Sequence, residues 1–379
     1  MSKRNELPIR VINPKRLPVW SIPAARIPIG DGYKPSLAMM PDGTLVMLAM
    51  VAGPPDEKLP DGKVHEWTGI YRSDDGGQTW STMRRLEDMI GREQWLTCTS
   101  GGILFASSHM LIPDTHNDTN HVISFLHRST DGGQTWQRTR ATIDGDMRCG
   151  TPEKTGSNVG RNVVEMPDGT LLFGVSATNS NVAYLWRSTD GGETWDRSLR
   201  VDIRGFYDNY DGFFAEDWTY LNDSGALLHW IRVGHPSPMA FMNDTRPDPT
   251  NGNDNNDRTM WTRSTDGGKT WSRVTDFSNY GQMYPRVIKL HDGRLLMTLT
   301  QRALFNPLGL RAVISYDDGD TWTLDRDHLV IEGFTPWGLN SGGGFGNSVQ
   351  LADGTLVSCY SYRPDEQSTQ LEVVRWKLP

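Results

Sequence analysis

Ser73-Asp74-Asp75-Gly76-Gly77-Gln78-Thr79-Trp80 is one of five copies of a Ser-x-Asp-x-Gly-x-Thr-Trp pattern; the others run from Ser129 to Trp136, Ser188 to Trp195, Ser264 to Trp271 and Ser315 to Trp322. Each follows a short apolar run, such as residues 122–126 or 182–186, and its Thr-Trp opens the next extended run, so it reads as a hairpin turn. The chemistry suits a turn. The Asp carboxylate can accept nearby backbone N–H groups, the Gly tolerates positive φ, and the Trp packs back over the bend. Nothing in the box offers a nucleophile, a metal cage or a phosphate cradle, so it reads as scaffold.

Ahead of the boxes a second element recurs, an apolar run, a tight Asp-Gly turn and another apolar run: Asp42-Gly43, Asp168-Gly169, Asp292-Gly293 and Asp353-Gly354, with degenerate copies at Gly101-Gly102 and Asp223-Ser224-Gly225. Each unit therefore reads strand A, Asp-Gly turn, strand B, long loop, strand C, box, strand D. That is one four-stranded blade, and six units predict an all-β, six-bladed β-propeller with antiparallel blades in a single domain over residues 1–379. The sixth unit lacks a box and a fourth strand, so an N-terminal strand should close it. The apolar segment from Ile9 to Ile12 is the expected one, since pairing the chain ends removes an exposed edge.

The net charge of −8 comes without a basic stripe, which argues against a nucleic-acid partner. No run approaches the ~20 apolar residues of a membrane span, and the start leads into no signal-peptide core. As written the chain reads as cytoplasmic; one from which a leader had been removed would read the same, as a secreted protein. Cys98, Cys149 and Cys359 show no metal-ligand spacing and read as free thiols, and no cofactor motif is present.

If strand A runs downward, the Asp-Gly turns and the boxes share the bottom face, and the long B-to-C loops share the top. Function concentrates where loops vary. The residues opening each strand A should ring the axis: Tyr33 and Lys34, Glu93, Arg161, Glu216 and Asp217, Tyr284 and Arg286, then Phe345 and Asn347. Acids, cations and aromatics at one ring suit a polar ligand. The loops add Asp61 and Glu66 in blade one, His109, Asp114, His116 and His121 in blade two, and an Asn- and Asp-rich stretch from Asn243 to Asp257 in blade four. The histidines read as solvated rather than as a metal site, and the stretch as a lid rather than a calcium loop.

The boxes and the sixfold repeat resemble the sialidase (neuraminidase) superfamily, the BNR-repeat glycosidases, across essentially the whole chain. Sialidases use an arginine triad for the substrate carboxylate, an Asp acid/base and a Tyr nucleophile paired with a Glu. The family's Glu opens strand A of blade four, nine residues before the turn Gly, and an Arg ends strand B; Glu216, nine before Gly225, and Arg232 match. The family's first Arg would fall at Tyr33, with Lys34 beside it, whereas Arg26-Ile27-Pro28 lies seven residues too early. The third Arg corresponds to Arg302 or Arg311. The Tyr position, eight residues before Asp353, holds Phe345.

A phenyl ring cannot attack an anomeric carbon. Sialic acid carries a carboxylate there, so a neutral phenol avoids driving one anion at another; an aldose has none, and a carboxylate can act directly. The resemblance therefore implies a sialidase-like glycosidase of a non-sialic sugar, with Glu216 as nucleophile or base and Glu66 or Asp61 as the partner acid. Arg232, Tyr33, Lys34, Arg161, Tyr284, Arg286, Arg302 and Phe345 would bind the carbohydrate, an acidic one included. Competing readings are a true exo-sialidase using Tyr33 or Tyr284, a uronate-directed polysaccharide lyase, and a non-catalytic propeller stacking sugars on Trp67, Trp95, Trp218 and Trp337.

Overall fold

The computed structural model describes residues 4–13, 16–53, 66–111, 114, 117, 119–143, 156–178, 182–203, 212–233, 257–279, 281–302, 308–324, 328–333, 344–365 and 367–379. They form six four-stranded antiparallel blades around one axis; among them only Arg4–Glu6 is helical, as a 3₁₀ turn, and no helix is long and apolar enough to cross a membrane. Blade one runs Tyr33–Met39, Leu45–Ala52, Glu66–Ser73 and Arg84–Leu86, inner strand first; blades two, four and five repeat this order, and the outer edge of blade three is held by the bridges Tyr184–Arg200 and Arg187–Asp196. In blade three the inner strand is split into Ser157–Val159 and Val164–Glu165.

The strands read as apolar runs because both faces of every blade are covered. In Leu45–Ala52, Leu45, Met47 and Ala49 pack toward blade six, and Val46 and Leu48 toward blade two. Six such clusters alternate with the six blades and close the ring.

The boxes behave as turns and also as joints. In the first, Ser73 Oγ donates to Asp75 Oδ1 (2.8 Å), which also accepts from the backbone N–H groups of Gln78 and Thr79 at 2.9 Å. The Arg before each of the first four boxes reaches the next blade: Arg128 Nε donates to Gly191 O at 2.8 Å, Arg187 to Gly267 O at 2.6 Å, Arg72 to Gly132 O, and Arg263 pairs with Asp320.

An N-terminal strand does close blade six, but it is Ala24–Asp31, which pairs with Gln370–Trp376. The segment from Ile9 to Ile12 is corrected: Ile9–Asn13 pairs with His328–Val330, the outer strand of blade five, and Arg16–Ile22 pairs with it in turn. The rule that decides this is geometric. An outer strand runs directly into the inner strand of the next blade, and Ala24–Asp31 is the segment adjoining Tyr33–Met39 across Gly32.

One glycine is fixed by packing rather than by φ. A Cβ on Gly174, on the second strand of blade three, would lie 2.2 Å from the Phe214 ring, which is 1 % exposed and held edge-on against Phe213 (4.9 Å between centroids). Phe214 lies two residues before Glu216. Gly174→Ala should therefore cost about 1–3 kcal/mol in chemical denaturation and shift the backbone that carries Glu216. An unchanged midpoint would show that the Phe214 ring can move aside.

Candidate active site

Counting nine residues back from each turn glycine gives Lys34, Glu93, Gly160, Glu216, Tyr284 and Phe345. Lys34, Glu93, Glu216 and Tyr284 all have left-handed backbones, with φ of +51°, +59°, +47° and +56°. Pairing of the inner strand slips at this place in three of these blades, between Tyr33 and Ser36, Arg92 and Trp95, and Met283 and Arg286. Such a bulge re-aims one side chain at the expense of about 1–3 kcal/mol for a bulky left-handed residue. Four strained residues at one repeat position make the axial ring the candidate site.

The ring is a chain of alternating charge. Glu93 is bound by Lys34 and by Arg161 (2.7 Å), Arg161 also bridges to Glu216 (2.6 Å), Arg232 holds the other Glu216 oxygen, and Asp257 in turn holds Arg232. Burial lowers the Lys34 pKa to about 8 against the opposing pull of Glu93. Burial alone would raise Glu93, but Lys34 and Arg161 outweigh it and hold the carboxyl well below its usual range. The Glu216 side chain keeps 13 % of its surface open.

Across the ring stand the aromatics. Tyr284 packs on Phe345 with centroids 4.5 Å apart, and the Arg302 guanidinium lies 5.2 Å from each ring centre; Arg232 lies 5.5 Å from that of Tyr284. Two residues further along each inner strand a second ring makes the floor. There Arg286, 3 % exposed, is sandwiched between Trp95 (4.3 Å) and Trp218 (4.6 Å) and donates to Ser36 Oγ at 2.8 Å. Burial lowers its pKa to about 9. Trp95 and Trp218 thus clasp an arginine, and Trp67 stacks with Arg85 at 4.2 Å.

On the blade-one side Tyr33 donates its hydroxyl to Glu66 (2.6 Å), whose side chain is 42 % exposed and lies 3.9 Å from Arg92; Arg92 also pairs with Asp114 (3.4 Å). Burial and then Glu66 raise the Tyr33 pKa. Burial lowers the His109 pKa to about 3, and no cluster of three or more metal-ligating side chains occurs among the described residues. Asp61, His116, Trp337, Cys149 and the stretch before Asp257 lie outside the described residues.

The sequence-derived candidates Lys34, Arg161, Glu216, Arg232, Tyr284, Arg302 and Phe345 thus meet around one axial ring. Arg286 lies in the floor beneath, and Glu66 with Tyr33 stands apart at the rim. Arg26 and Arg311 are elsewhere: Arg26 is buried on the strand closing blade six, donating to Tyr360 Oη (2.6 Å), and Arg311 faces His328 (3.1 Å) in blade five. Two members acquire roles that spacing did not give them. Glu93 joins Lys34 to Arg161, and Asp257 anchors Arg232; the ninth-residue count picks out the first, whereas the second comes from outside that ring.

The family model described as BNR repeat-like domain matches residues 29–297. A xyloglucanase from Paenibacillus sp is 26% identical over 228 residues, covering 54% of this chain and 19% of that protein, so the chain spans about a fifth of that relative's length. A solved protein of unknown function from Dyadobacter fermentans superposes with TM-score 0.66 at 18% identity over 100% of both chains. The Hadza microbial sialidase Hz136 does so at 0.58 and 16%, over 96% of this chain and 70% of that one. With its repeat, its six blades and this match, the chain belongs to the BNR repeat-like domain family and has the propeller fold of the sialidases.

Proposed function

We propose that this protein is a glycoside hydrolase that cleaves a bond to a non-sialic sugar at the axial ring, with Glu216 as its catalytic carboxylate. The observation that carries the reading is Glu216 itself: strained at φ +47°, partly exposed, and gripped on one oxygen by Arg161 and on the other by Arg232. Two guanidinium groups fix the carboxylate's position, so it can meet an anomeric carbon, or a water beside it, without reorganising. Glu66 or Asp61 from blade one would protonate the departing oxygen. Lys34, Arg232 and Arg302 would recognise the sugar's hydroxyl groups or a uronate carboxylate. The xyloglucanase similarity supports a glycan substrate.

A second reading has its own observation. Tyr284 stacks on Phe345, the position where a sialidase carries its nucleophile, and lies near both Arg232 and Arg302. That arrangement would let a phenol from the neighbouring blade serve an exo-sialidase. A panel of fluorogenic sialosides, neutral aldosides and uronides separates the two. We expect turnover of an aldoside or uronide with the sialoside inert; robust sialoside cleavage would transfer the role to Tyr284.

A further inference from the structure

Directly behind Glu216 the interior holds a second carboxyl group, Asp217, whose side chain is completely buried. One oxygen, Oδ1, accepts the backbone N–H of Arg161 at 3.1 Å. The other, Oδ2, has no hydrogen-bond partner and faces His229 Nδ1 at 3.5 Å. His229 is itself buried, with Nε2 3.0 Å from the Phe213 carbonyl and Nδ1 2.8 Å from Thr219 Oγ1. A carbonyl only accepts, so Nε2 carries the proton, and burial lowers the ring's pKa to about 3, so Nδ1 carries none. With Nδ1 accepting the Thr219 hydroxyl, an ionised Asp217 would hold a bare anionic oxygen with no donor beside it in a dry interior.

We infer that Asp217 is a neutral carboxylic acid in the working protein, with its proton on the partnerless Oδ2, and that it acts as a positioning residue for Arg161. Blade three contributes Arg161, whose guanidinium is occupied by Glu93 and Glu216, and the glycine backbone at Gly160, where a Cβ would lie 3.5 Å from Oδ2. Blade four contributes His229 and Thr219. The only cation among these groups is Arg161, and its charge is balanced by two glutamates. The acid thereby holds the backbone of the residue that joins Glu93 to Glu216, and holding it without charge leaves that balance undisturbed. Burial is also the leading cause that raises the Asp217 pKa from 3.8 to about 7.

This inference rests on the proposed hydrolase for its kinetic consequence but not for its physical one. An acid whose folded pKa lies above its unfolded value stabilises the fold fully below the unfolded value, and that contribution is lost as pH rises through the folded one. Asp217→Asn keeps the acceptor for Arg161 and replaces the acid with a neutral amide that does not titrate. The melting-temperature gap between Asp217→Asn and wild type should therefore grow in the mutant's favour from pH 4 to about pH 7 and then level off. An infrared carboxylic-acid C=O band at pH 5.5, taken as roughly midway between the two values, should vanish in Asp217→Asn. On an accepted substrate, Asp217→Asn should keep kcat within about threefold of wild type and flatten the alkaline limb of its pH profile, whereas Asp217→Ala should lose kcat more than KM. A pH-independent melting gap, the absence of that band, or an inactive Asp217→Asn would each overturn the inference. If no glycoside is turned over by wild type while the band and the gap appear, the hydrolase reading fails and the protonated Asp217 stands.

Discussion

Glu216→Gln should reduce turnover of an accepted glycoside by about 10³-fold or more, equivalent to about 4 kcal/mol of transition-state stabilisation, while leaving the propeller folded. The amide keeps the shape and the bulge of the native residue but has no anionic oxygen to offer an anomeric carbon or a water. Folding should survive because neither arginine loses its last partner: Arg161 retains Glu93, and Arg232 retains Asp257. Substrate binding should persist as well, since Lys34, Arg302 and the aromatic wall are untouched. Initial rates, a binding isotherm and a melting curve on the same preparation check the three parts. Turnover within about tenfold of wild type would remove Glu216 from the chemistry. Loss of binding together with turnover would make it a structural anchor.

The second large effect is expected far from the ring. Arg4, in the 3₁₀ turn at the start of the described chain, donates to Glu332 at 3.0 Å and to Glu372 at 2.9 Å, and its guanidinium lies 3.5 Å over the Tyr362 ring. The two glutamate side chains are 0% and 2% exposed. Tyr360 donates to the other Glu372 oxygen at 2.9 Å, and Arg26 donates to Tyr360. Arg4 is thus the cation bound to both carboxylates, and it ties the N-terminus to blades five and six where the ring closes.

Arg4→Ala should cost about 3 kcal/mol of unfolding free energy at pH 8, the low end for breaking a buried pair because the Arg4 side chain is 31% exposed. Burial already raises the Glu372 pKa despite Arg4, and without Arg4 it should rise further. Protons bound more tightly in the folded state make stability fall as pH rises. The deficit of Arg4→Ala should therefore narrow toward pH 5, and Arg4→Lys should recover part of it. Urea denaturation at the two pH values checks this, and a deficit that is small or independent of pH would contradict it.

The fold and the ring were legible because a propeller is a one-dimensional repeat, so a distance along one blade holds in all of them. The ninth-residue count from the turn glycine reaches Lys34, Glu93, Glu216, Tyr284 and Phe345 alike, and the first four of these share a left-handed backbone at that step. Closure was less legible. Ile9–Asn13 and Ala24–Asp31 are both extended and partly apolar, and only the connection rule between blades distinguishes them. Pairings across the axis were not legible at all, because which side chain faces which depends on how blades are rotated about the axis. Arg286 shows the consequence: its place on strand A suggested substrate contact, but two residues of further descent put it in the floor between Trp95 and Trp218. The Arg-Ile-Pro at Arg26 likewise sits on a strand of blade six, where its arginine serves Tyr360.

Everything proposed for the axial ring requires glycan chemistry to take place at Glu216. That requirement is tested most directly by a crystal structure of Glu216→Gln soaked with a substrate that wild type cleaves. The anomeric carbon should lie about 3–3.5 Å from the carboxamide at position 216, with the sugar bounded by Arg232, Tyr284, Phe345 and Lys34. A sugar bound instead on the face of the Asp-Gly turns and boxes, or with its anomeric carbon beyond reach of residue 216, would contradict it.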